Sequence, residues 1–152
     1  MKVAIIAVGK LGRDPENAIV DRYIKRMPWK VSLAEVAEKR PLKGQERRTR
    51  EAELLMAKIP KGAFVVALDE KGREFHSQAL ARAIDGWRNR GVNNLAFIIG
   101  GAGGLDSRIR DEADLVMSLG KMTWPHALAR AMLAEQLYRA STIIEGHPYH
   151  RG

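Results

Sequence analysis

The segment Phe97-Ile98-Ile99-Gly100-Gly101-Ala102-Gly103-Gly104-Leu105-Asp106 decides the fold. It opens on the end of an apolar run, 95–99, that predicts a buried strand, and a helix is predicted to begin at Ser107. Four glycines within five residues lie between these two elements. Glycine adopts positive φ readily and lets a ligand approach the backbone, and open α/β sheets bind ligands at the carboxyl ends of their strands. The segment therefore predicts an α/β protein with a ligand-binding loop after this strand.

The glycine loop matches neither standard phosphate-binding pattern. Counted from Gly101, the dinucleotide fingerprint Gly-x-Gly-x-x-Gly needs its last glycine where Asp106 stands. The Gly-Lys-Ser/Thr sequence of a phosphate loop is absent as well. The loop is therefore either a ligand loop of another kind or a tight turn that binds nothing.

Short apolar runs alternate with helical patterns along the chain, which is typical of an α/β sheet. Strands are predicted at 2–8, 31–36, 64–68, 95–99 and 115–118. Helices are predicted at 15–27, at 45–59, from Ser77 to near Gly91, and from Trp124 to about Ser141, with Asp14, Ser77 and Thr123 as N-cap residues. No linker, repeat or low-complexity segment interrupts this alternation, so a single domain spanning 1–152 is expected.

The composition is that of a globular protein with a polyanionic partner. Apolar residues make up 45% of the chain, and cysteine is absent, which excludes disulfides and thiolate chemistry. The amino-terminal apolar run is too short for a signal peptide and no run is long enough for a membrane span, so a cytoplasmic protein is expected. The net charge of +8 favours a nucleic acid as the partner, without separating RNA from DNA.

The positive charge is densest in one segment, which contains Lys39, Arg40, Lys43, Arg47, Arg48 and Arg50. A nucleic-acid contact would account for this cluster. Solvated helix and loop residues would account for it equally well, so its role stays open.

A second strand is followed by a polar turn, Asp69-Glu70-Lys71-Gly72, after the apolar residues Ala67 and Leu68. Acidic residues after a strand often do no more than begin a turn. If the two strands are neighbours in the sheet, however, this turn and the glycine loop lie at the same edge. The pair of loops then indicates one ligand site.

The carboxyl-terminal third carries unusual chemistry for a chain terminus. Three of the four histidines, His126, His147 and His150, lie there, and the chain ends His-Pro-Tyr-His-Arg-Gly. The spacing His147-x-x-His150 across a proline is not a standard zinc pattern, and acidic ligands that would complete a site are missing, so no metal is expected. The residues fit a catalytic or substrate-binding tail better.

These segments resemble the SPOUT class of methyltransferases, and within it the family of ribosomal RNA large-subunit methyltransferase H. The resemblance covers the whole chain and is carried by the opening Lys2-Val3-x-Ile5-Ile6-Ala7-Val8-Gly9-Lys10, Leu68-Asp69, Ile99-Gly100-Gly101-x-x-Gly104, Thr123-x-Pro125-His126, Leu137-Tyr138-Arg139-Ala140 and His147-Pro148-Tyr149-His150. The terminal motif is the most specific of these. Two residues depart from the family pattern: Gly103 stands where relatives tend to carry a larger residue, and Trp124 where a smaller apolar one is common.

The resemblance implies a SPOUT-type trefoil-knotted α/β fold, with a mostly parallel sheet flanked by helices and the carboxyl-terminal helix in the knot. It also implies a homodimer that binds S-adenosyl-L-methionine (SAM) as methyl donor, mainly through backbone groups. Carried over to this chain, the SAM contacts are Leu68, Gly100, Leu119, Gly120, Lys121, Met122, Thr123 and Trp124. SAM has no phosphate, which agrees with a glycine loop that is not a phosphate cradle.

The reaction implied by the resemblance is methylation of N3 of a pseudouridine in helix 69 of bacterial 23S rRNA, within the assembled 70S ribosome. His150 is the candidate base, Tyr149 would position it or the uracil ring, and Arg139 and Arg151 would stabilise the anion or bind phosphates. Stacking alone is an equal alternative for Tyr149. Two other functions stay open, a SPOUT methyltransferase of transfer RNA and a ribosome-binding module without activity.

Overall fold

The structure is a computed structural model that describes residues 1–151, so Gly152 lies outside the described residues. Five parallel strands form one sheet in the order β2-β1-β4-β3-β5, where β1 is Lys2–Val8, β2 Lys30–Val36, β3 Phe64–Glu74, β4 Asn94–Ile99 and β5 Leu115–Ser118. The helices are α1 Pro15–Arg26, α2 Gly44–Met56, α3 Ser77–Asn89, α4 Ser107–Glu112 and α5 His126–Glu145, followed by a 3-10 helix at Pro148–Arg151. The expected α/β fold is confirmed, with a sheet that is parallel throughout.

The apolar run of β1 is continuous because both faces of the strand are buried. Val3 and Ile5 point to the side covered by α3 and α5, and they pack in one cluster with Leu80 and Leu133. The alternate residues, such as Ile6, point to the other side and pack in a second cluster. The sheet is therefore a central layer between two helical layers.

The helices divide between the two faces according to their apolar spacing. In α3, Leu80, Ile84 and Trp87 recur at helical spacing and are buried together against the sheet. Helices α1 and α3 both pack on α5, which lies in the same layer. On the opposite face, α2 and α4 pack together. No helix within residues 1–151 has both the length and the apolar character that crossing a bilayer requires.

The last helix begins and ends later than its sequence pattern predicts. It starts at His126 with Pro125 in the N-cap position, so the predicted capping role of Thr123 is wrong. It continues past Ser141 to Glu145, where Gly146 adopts φ 73° and the N–H of His147 donates to the carbonyl of Thr142 at 2.8 Å. A left-handed glycine with this hydrogen bond is a common helix terminator.

Other boundaries differ for local reasons. Ser77 is the first residue of α3 instead of its cap, because its hydroxyl donates to Gln136 Oε1 at 2.7 Å and His76 takes the N-cap position. Asp14 occupies the N-cap of α1 as expected, but its side chain makes no capping hydrogen bond. Helix α2 ends at Met56, because the N–H groups of residues 58 and 59 donate to the carbonyls three residues earlier instead of four.

A buried arginine ties α5 to the carboxyl ends of β1 and β2. The side chain of Arg130 is fully buried, and its Nη1 lies 2.7 Å from Glu35 Oε2. Its Nη2 donates to the carbonyls of Val8 and Gly9, each at 3.2 Å. The same carboxylate oxygen of Glu35 accepts from the N–H of Leu11 at 2.7 Å. One guanidinium therefore fixes a strand end, the loop after it and the helix.

Replacement of Arg130 by alanine is expected to lower the free energy of unfolding by about 3–5 kcal/mol, because it leaves Glu35 without its cation and two backbone carbonyls without their donor. Chemical denaturation followed by circular dichroism measures the change. Arg82 is exposed in the middle of α3, and Arg82→Ala is the control, expected to stay within about 0.5 kcal/mol of the parent protein. A loss below about 1 kcal/mol for Arg130→Ala would show that this contact is not an anchor.

Candidate active site

Three loops meet at one edge of the sheet, because β4, β3 and β5 are parallel neighbours. They are the glycine loop after β4, the turn inside β3 that begins at Asp69, and the loop 119–125 after β5. The expectation that the first two lie at the same edge is confirmed. This edge is where ligands bind in open α/β sheets.

The glycine loop is a tight turn whose geometry requires two of its glycines. The N–H of Gly104 donates to the carbonyl of Gly101 at 2.9 Å, and Gly104 has φ +81°. A Cβ on Gly100 would lie 2.9 Å from the backbone carbon of Gly104. By contrast, a Cβ on Gly103 would meet only the side chain of Arg48, at 3.8 Å. Turn geometry therefore explains Gly100 and Gly104, but not Gly103.

Asp106 holds the glycine loop between two helices. Its Oδ1 accepts from the N–H of Arg108 at 2.8 Å, which caps α4, and its Oδ2 accepts from Gln45 Nε2 at 2.6 Å, which joins α2 to the loop. The hydrogen bond from Arg108 and, after it, the one from Gln45 hold the pKa of Asp106 below its usual value. Asp106 is thus a structural residue.

Strand β3 carries an irregularity that the sequence did not reveal. Leu68 and Arg73 both pair with Met117 of β5, so the four residues between them are looped out of the ladder. Gly72 closes this loop, because a Cβ there would lie 2.7 Å from backbone carbons of β5. Asp69 accepts from the N–H of Lys71 at 2.9 Å. The predicted turn exists, but the strand resumes after it instead of ending.

The loop after β5 is pinned by a buried serine that sequence reasoning missed. Ser118 Oγ lies 2.7 Å from the carbonyl oxygen of Gly120 and accepts from the N–H of Gly120 at 3.0 Å. Thr123 Oγ1 donates to Glu70 Oε2 at 2.8 Å, which ties the loop to the irregularity in β3. Only the position of Ser118 at a strand end hinted at this role. Gly120 adopts φ 119°, a conformation that glycine accommodates without strain.

A cavity of about 450 Å³ opens beside this loop. It is lined by Glu74, Phe75, Ser77, Leu80, Met117, Ser118, Leu119, Gly120, Met132, Glu135 and Gln136. Of the eight predicted cofactor contacts, only Leu119 and Gly120 line it. Leu68 is half-buried against the core. Gly100 lies in the turn after β4, and 121–124 form an exposed segment in which Met122 is 72% exposed.

Glu135 connects this cavity to the carboxyl terminus. Its Oε1 accepts from Arg139 Nε and Nη2, at 3.0 and 2.6 Å, and from the hydroxyl of Tyr149 at 3.1 Å. Its Oε2 accepts from Gln136 Nε2 at 2.7 Å, and Gln136 in turn accepts from Ser77. Neither Glu135 nor Gln136 stands out in the sequence, because both read as ordinary helix residues.

The tail packs back on its own helix. The ring of Tyr149 meets Tyr138 edge to face, with centroids 4.7 Å apart, and lies beneath the guanidinium of Arg139 at 5.1 Å. Burial, with hydrogen bonding to Tyr23 and the charge of Glu135, raises the pKa of Tyr149, so its hydroxyl stays protonated at neutral pH. The hydrogen bond with Glu135 likewise raises the pKa of Arg139.

His150 and Arg139 line a second cavity, of about 300 Å³, with His76, Ser77, Gln78 and Ile143. His150 Nδ1 is buried and has no hydrogen-bond partner within residues 1–151. Because Ser77 lines both cavities, the two adjoin. Arg151 is exposed and lines neither of them. The structure therefore brings together three of the four predicted catalytic residues, His150, Tyr149 and Arg139.

The remaining histidines lie apart. His126 begins α5 beside Gly9, where a Cβ on the glycine would be 3.4 Å from the imidazole, and His147 Nδ1 accepts from the N–H of Tyr149 at 3.2 Å. Within residues 1–151 no three His, Cys, Asp or Glu side chains lie close enough to hold a metal ion.

Comparison with known proteins places this chain in a family. A model described as "Predicted SPOUT methyltransferase" matches residues 1–150. The chain is 52% identical to "Ribosomal RNA large subunit methyltransferase H" of Paramagnetospirillum magneticum and 49% identical to the protein of that name from Rhodospirillum rubrum, covering 99% of both chains in each case. A solved structure titled as a probable methylase family protein from Haemophilus influenzae has the same fold, with a TM-score of 0.55 at 10% identity over 97% of this chain and 69% of that one.

The chain belongs to the SPOUT methyltransferase family. Within that class it is a member of the group named ribosomal RNA large subunit methyltransferase H, as the resemblance of its motifs predicted.

The two kinds of glycine in the loop after β4 are expected to respond differently to alanine. Gly100→Ala should lower the free energy of unfolding by about 1–3 kcal/mol, because the new Cβ meets backbone that cannot move aside. Gly103→Ala should be neutral or stabilise by up to about 1 kcal/mol, since its φ is not left-handed and only a flexible arginine lies nearby. Equal effects of the two substitutions in urea denaturation would contradict this assignment.

Proposed function

We propose that this protein transfers the methyl group of SAM to N3 of a pseudouridine in helix 69 of bacterial 23S rRNA, acting on the assembled 70S ribosome. The observation that carries the proposal is the connection from the cavity after β5, through Glu135, to the tail that holds Tyr149 and His150. The names of the relatives support an rRNA substrate. The net charge of +8 suits a polyanionic partner.

The cavity suits SAM in size and charge. Its volume of about 450 Å³ lies within the usual range for small-molecule sites, about 300–1,000 Å³. Phe75, Leu80 and Met117 offer an apolar wall for an adenine ring, and the exposed carboxylate of Glu74 suits a cofactor with positive sulfonium and ammonium groups. Leu119 and Gly120 would contact the cofactor, with Leu68, Gly100, Lys121, Met122, Thr123 and Trp124 completing the site around it.

When bound, SAM supplies a methyl group already activated by the positive sulfur. The acceptor N3 has to lose its proton, and the side chains of the tail address this requirement. His150 would accept that proton, since its Nδ1 has no competing partner in the structure. Arg139 would stabilise the uracil anion from the same cavity, and the exposed Arg151 would stabilise the anion or grip a phosphate.

Tyr149 would position the tail. Its hydroxyl donates to Glu135, and the raised pKa keeps that donor protonated. The same hydrogen bond leaves the hydroxyl unsuited to act as a base, so Tyr149 orients His150 or stacks on the uracil ring.

The active form would be a homodimer of single-domain subunits, each spanning 1–152, with the trefoil knot of the SPOUT class around α5. Met122, Trp124 and Leu128 are exposed, at 72%, 40% and 38%, and cluster along one short stretch. Exposed apolar residues grouped in this way are typical of a protein interface. In such a dimer the tail of one subunit would complete the site of the other.

The decisive assay offers radiolabelled SAM with free 23S rRNA, separate ribosomal subunits, 70S ribosomes and transfer RNA. Label is expected in 70S ribosomes, and mapping should place it on a pseudouridine of helix 69. Label only in transfer RNA would show that the protein is a SPOUT methyltransferase that acts on transfer RNA instead. Absence of SAM binding by calorimetry would favour a ribosome-binding module without activity.

His150→Ala is expected to lower kcat by about 10²–10⁴-fold while the Kd for SAM stays unchanged, because a positioned general base contributes a factor of this size. The variant should also lose the limb of the pH–rate profile that belongs to the base. His147→Ala is the matched control, since it removes a neighbouring imidazole from the same tail. Full turnover of His150→Ala at neutral pH would exclude His150 as the base.

A further inference from the structure

The basic segment 39–50 contains two kinds of arginine. Arg40 Nε and Arg50 Nε lie 3.1 and 3.0 Å from the two oxygens of Glu38, whose side chain is 7% exposed. Hydrogen bonds, first from Arg40, lower the pKa of Glu38 to about 2. Arg50 also pairs with Glu53 at 2.9 Å. The charges of these two arginines are therefore matched within the protein.

Arg47 is also used internally. Its guanidinium donates to the carbonyls of Glu38, Arg40 and Leu42 at 3.3–3.4 Å, and its Nε lies 3.7 Å from Glu51 Oε2. Arg47 thereby holds the chain between β2 and α2 in place. Three of the four arginines of the segment are structural.

Arg48 is different because no carboxylate lies within ion-pair distance of it among residues 1–151. Its guanidinium donates only to the neutral amide oxygen of Gln45, at 3.2 and 3.4 Å. The half-exposed side chain lies beside Gly103, where a Cβ would be 3.8 Å from it.

Arg108 lies on the other side of the same loop, exposed at the start of α4 and without an ion pair in the described part of the chain. Both arginines are close enough to Asp106 to lower its pKa further. Asp106 is only 8% exposed, however, and its two oxygens are taken by Gln45 and by the N–H of Arg108. The loop therefore presents two cations with unused donors to solvent.

We infer that Arg48 and Arg108 form a phosphate-binding subsite for the RNA backbone beside the glycine loop. This inference rests on the proposed RNA substrate and adds where its backbone is held. The loop lies two strands from β5, about 10 Å along the sheet at the usual strand spacing. The two arginines lie on the face covered by α2 and α4 and the cavity on the face covered by α3 and α5, so an RNA strand that crosses the carboxyl ends of the strands would reach both. Arginine binds phosphate through several donors, and each such contact releases counterions.

The test compares Arg48→Ala/Arg108→Ala with Lys61→Ala/Arg90→Ala. Lys61 and Arg90 are exposed and lie before β3 and β4, at the opposite edge of the sheet, so the control removes the same charge. The readouts are the Kd for 70S ribosomes at several KCl concentrations, kcat at saturating ribosomes and the Kd for SAM.

For the Arg48→Ala/Arg108→Ala variant, the slope of log affinity against log [KCl] is expected to fall in magnitude by about 1.5–2. This fall corresponds to the loss of one phosphate contact per arginine. The kcat and the Kd for SAM should stay as in the parent protein, and the control should keep the parent slope. An unchanged slope would overturn the subsite. A shift from dimer to monomer in sedimentation, with the slope unchanged, would place both arginines in a subunit interface instead.

The proposed reaction and the proposed phosphate subsite are overturned by different results. If the parent protein binds ribosomes with a steep salt slope but transfers no methyl group, the proposed reaction is wrong, and the variants still decide the subsite. If the parent protein does not bind ribosomes, both the substrate and the subsite are overturned. Arg48→Glu/Arg108→Glu serves as a second variant and should weaken ribosome binding more than the alanines do, because it adds repulsion between carboxylates and phosphates.

Discussion

The contact between Arg130 and the ends of β1 and β2 is the constraint on which the site depends. A guanidinium that is fully buried, bound to Glu35 and to two backbone carbonyls, fixes where α5 begins relative to the sheet. Helix α5 then carries Glu135 and Arg139 about one and a half and two and a half turns further on. A displaced Arg130 would therefore move the wall of the larger cavity, although it lines neither cavity itself.

Glu135 links this helix to the carboxyl-terminal tail through hydrogen bonds. Its two oxygens take four hydrogen bonds, from Arg139, Tyr149 and Gln136, so a single carboxylate sets the position of the tail against the cavity. Because Glu135 also borders the cavity, the cavity and the tail share one polar network. The same short helix segment thus connects the cavity proposed for the methyl donor with the residues proposed to deprotonate the acceptor.

The loops around the site show which features can be predicted from short stretches of sequence and which cannot. Glycines after β4 and the polar turn after Leu68 were correctly predicted to lie at the same edge of the sheet, because both follow apolar runs that form neighbouring parallel strands. The spacing did not reveal that Gly100 and Gly104 serve the turn itself, or that Gly72 permits close contact with β5. The requirement at Gly72 comes from the backbone of β5, a strand distant in the chain. Thr123 was misassigned for the same reason, since its hydroxyl is taken by Glu70, which is 53 residues away.

The sequence by itself determined the α/β class, the five strands, most helix boundaries and, through its terminal motif, the family. These features follow from periodicity and turn chemistry, which act over a few residues. Only the tertiary structure decided that Arg130 pairs with Glu35, that Glu135 gathers Arg139 and Tyr149, and which arginines of the basic segment keep an unmatched charge. Such pairings join residues up to 95 positions apart, so they depend on how the helices pack on the sheet rather than on any local pattern.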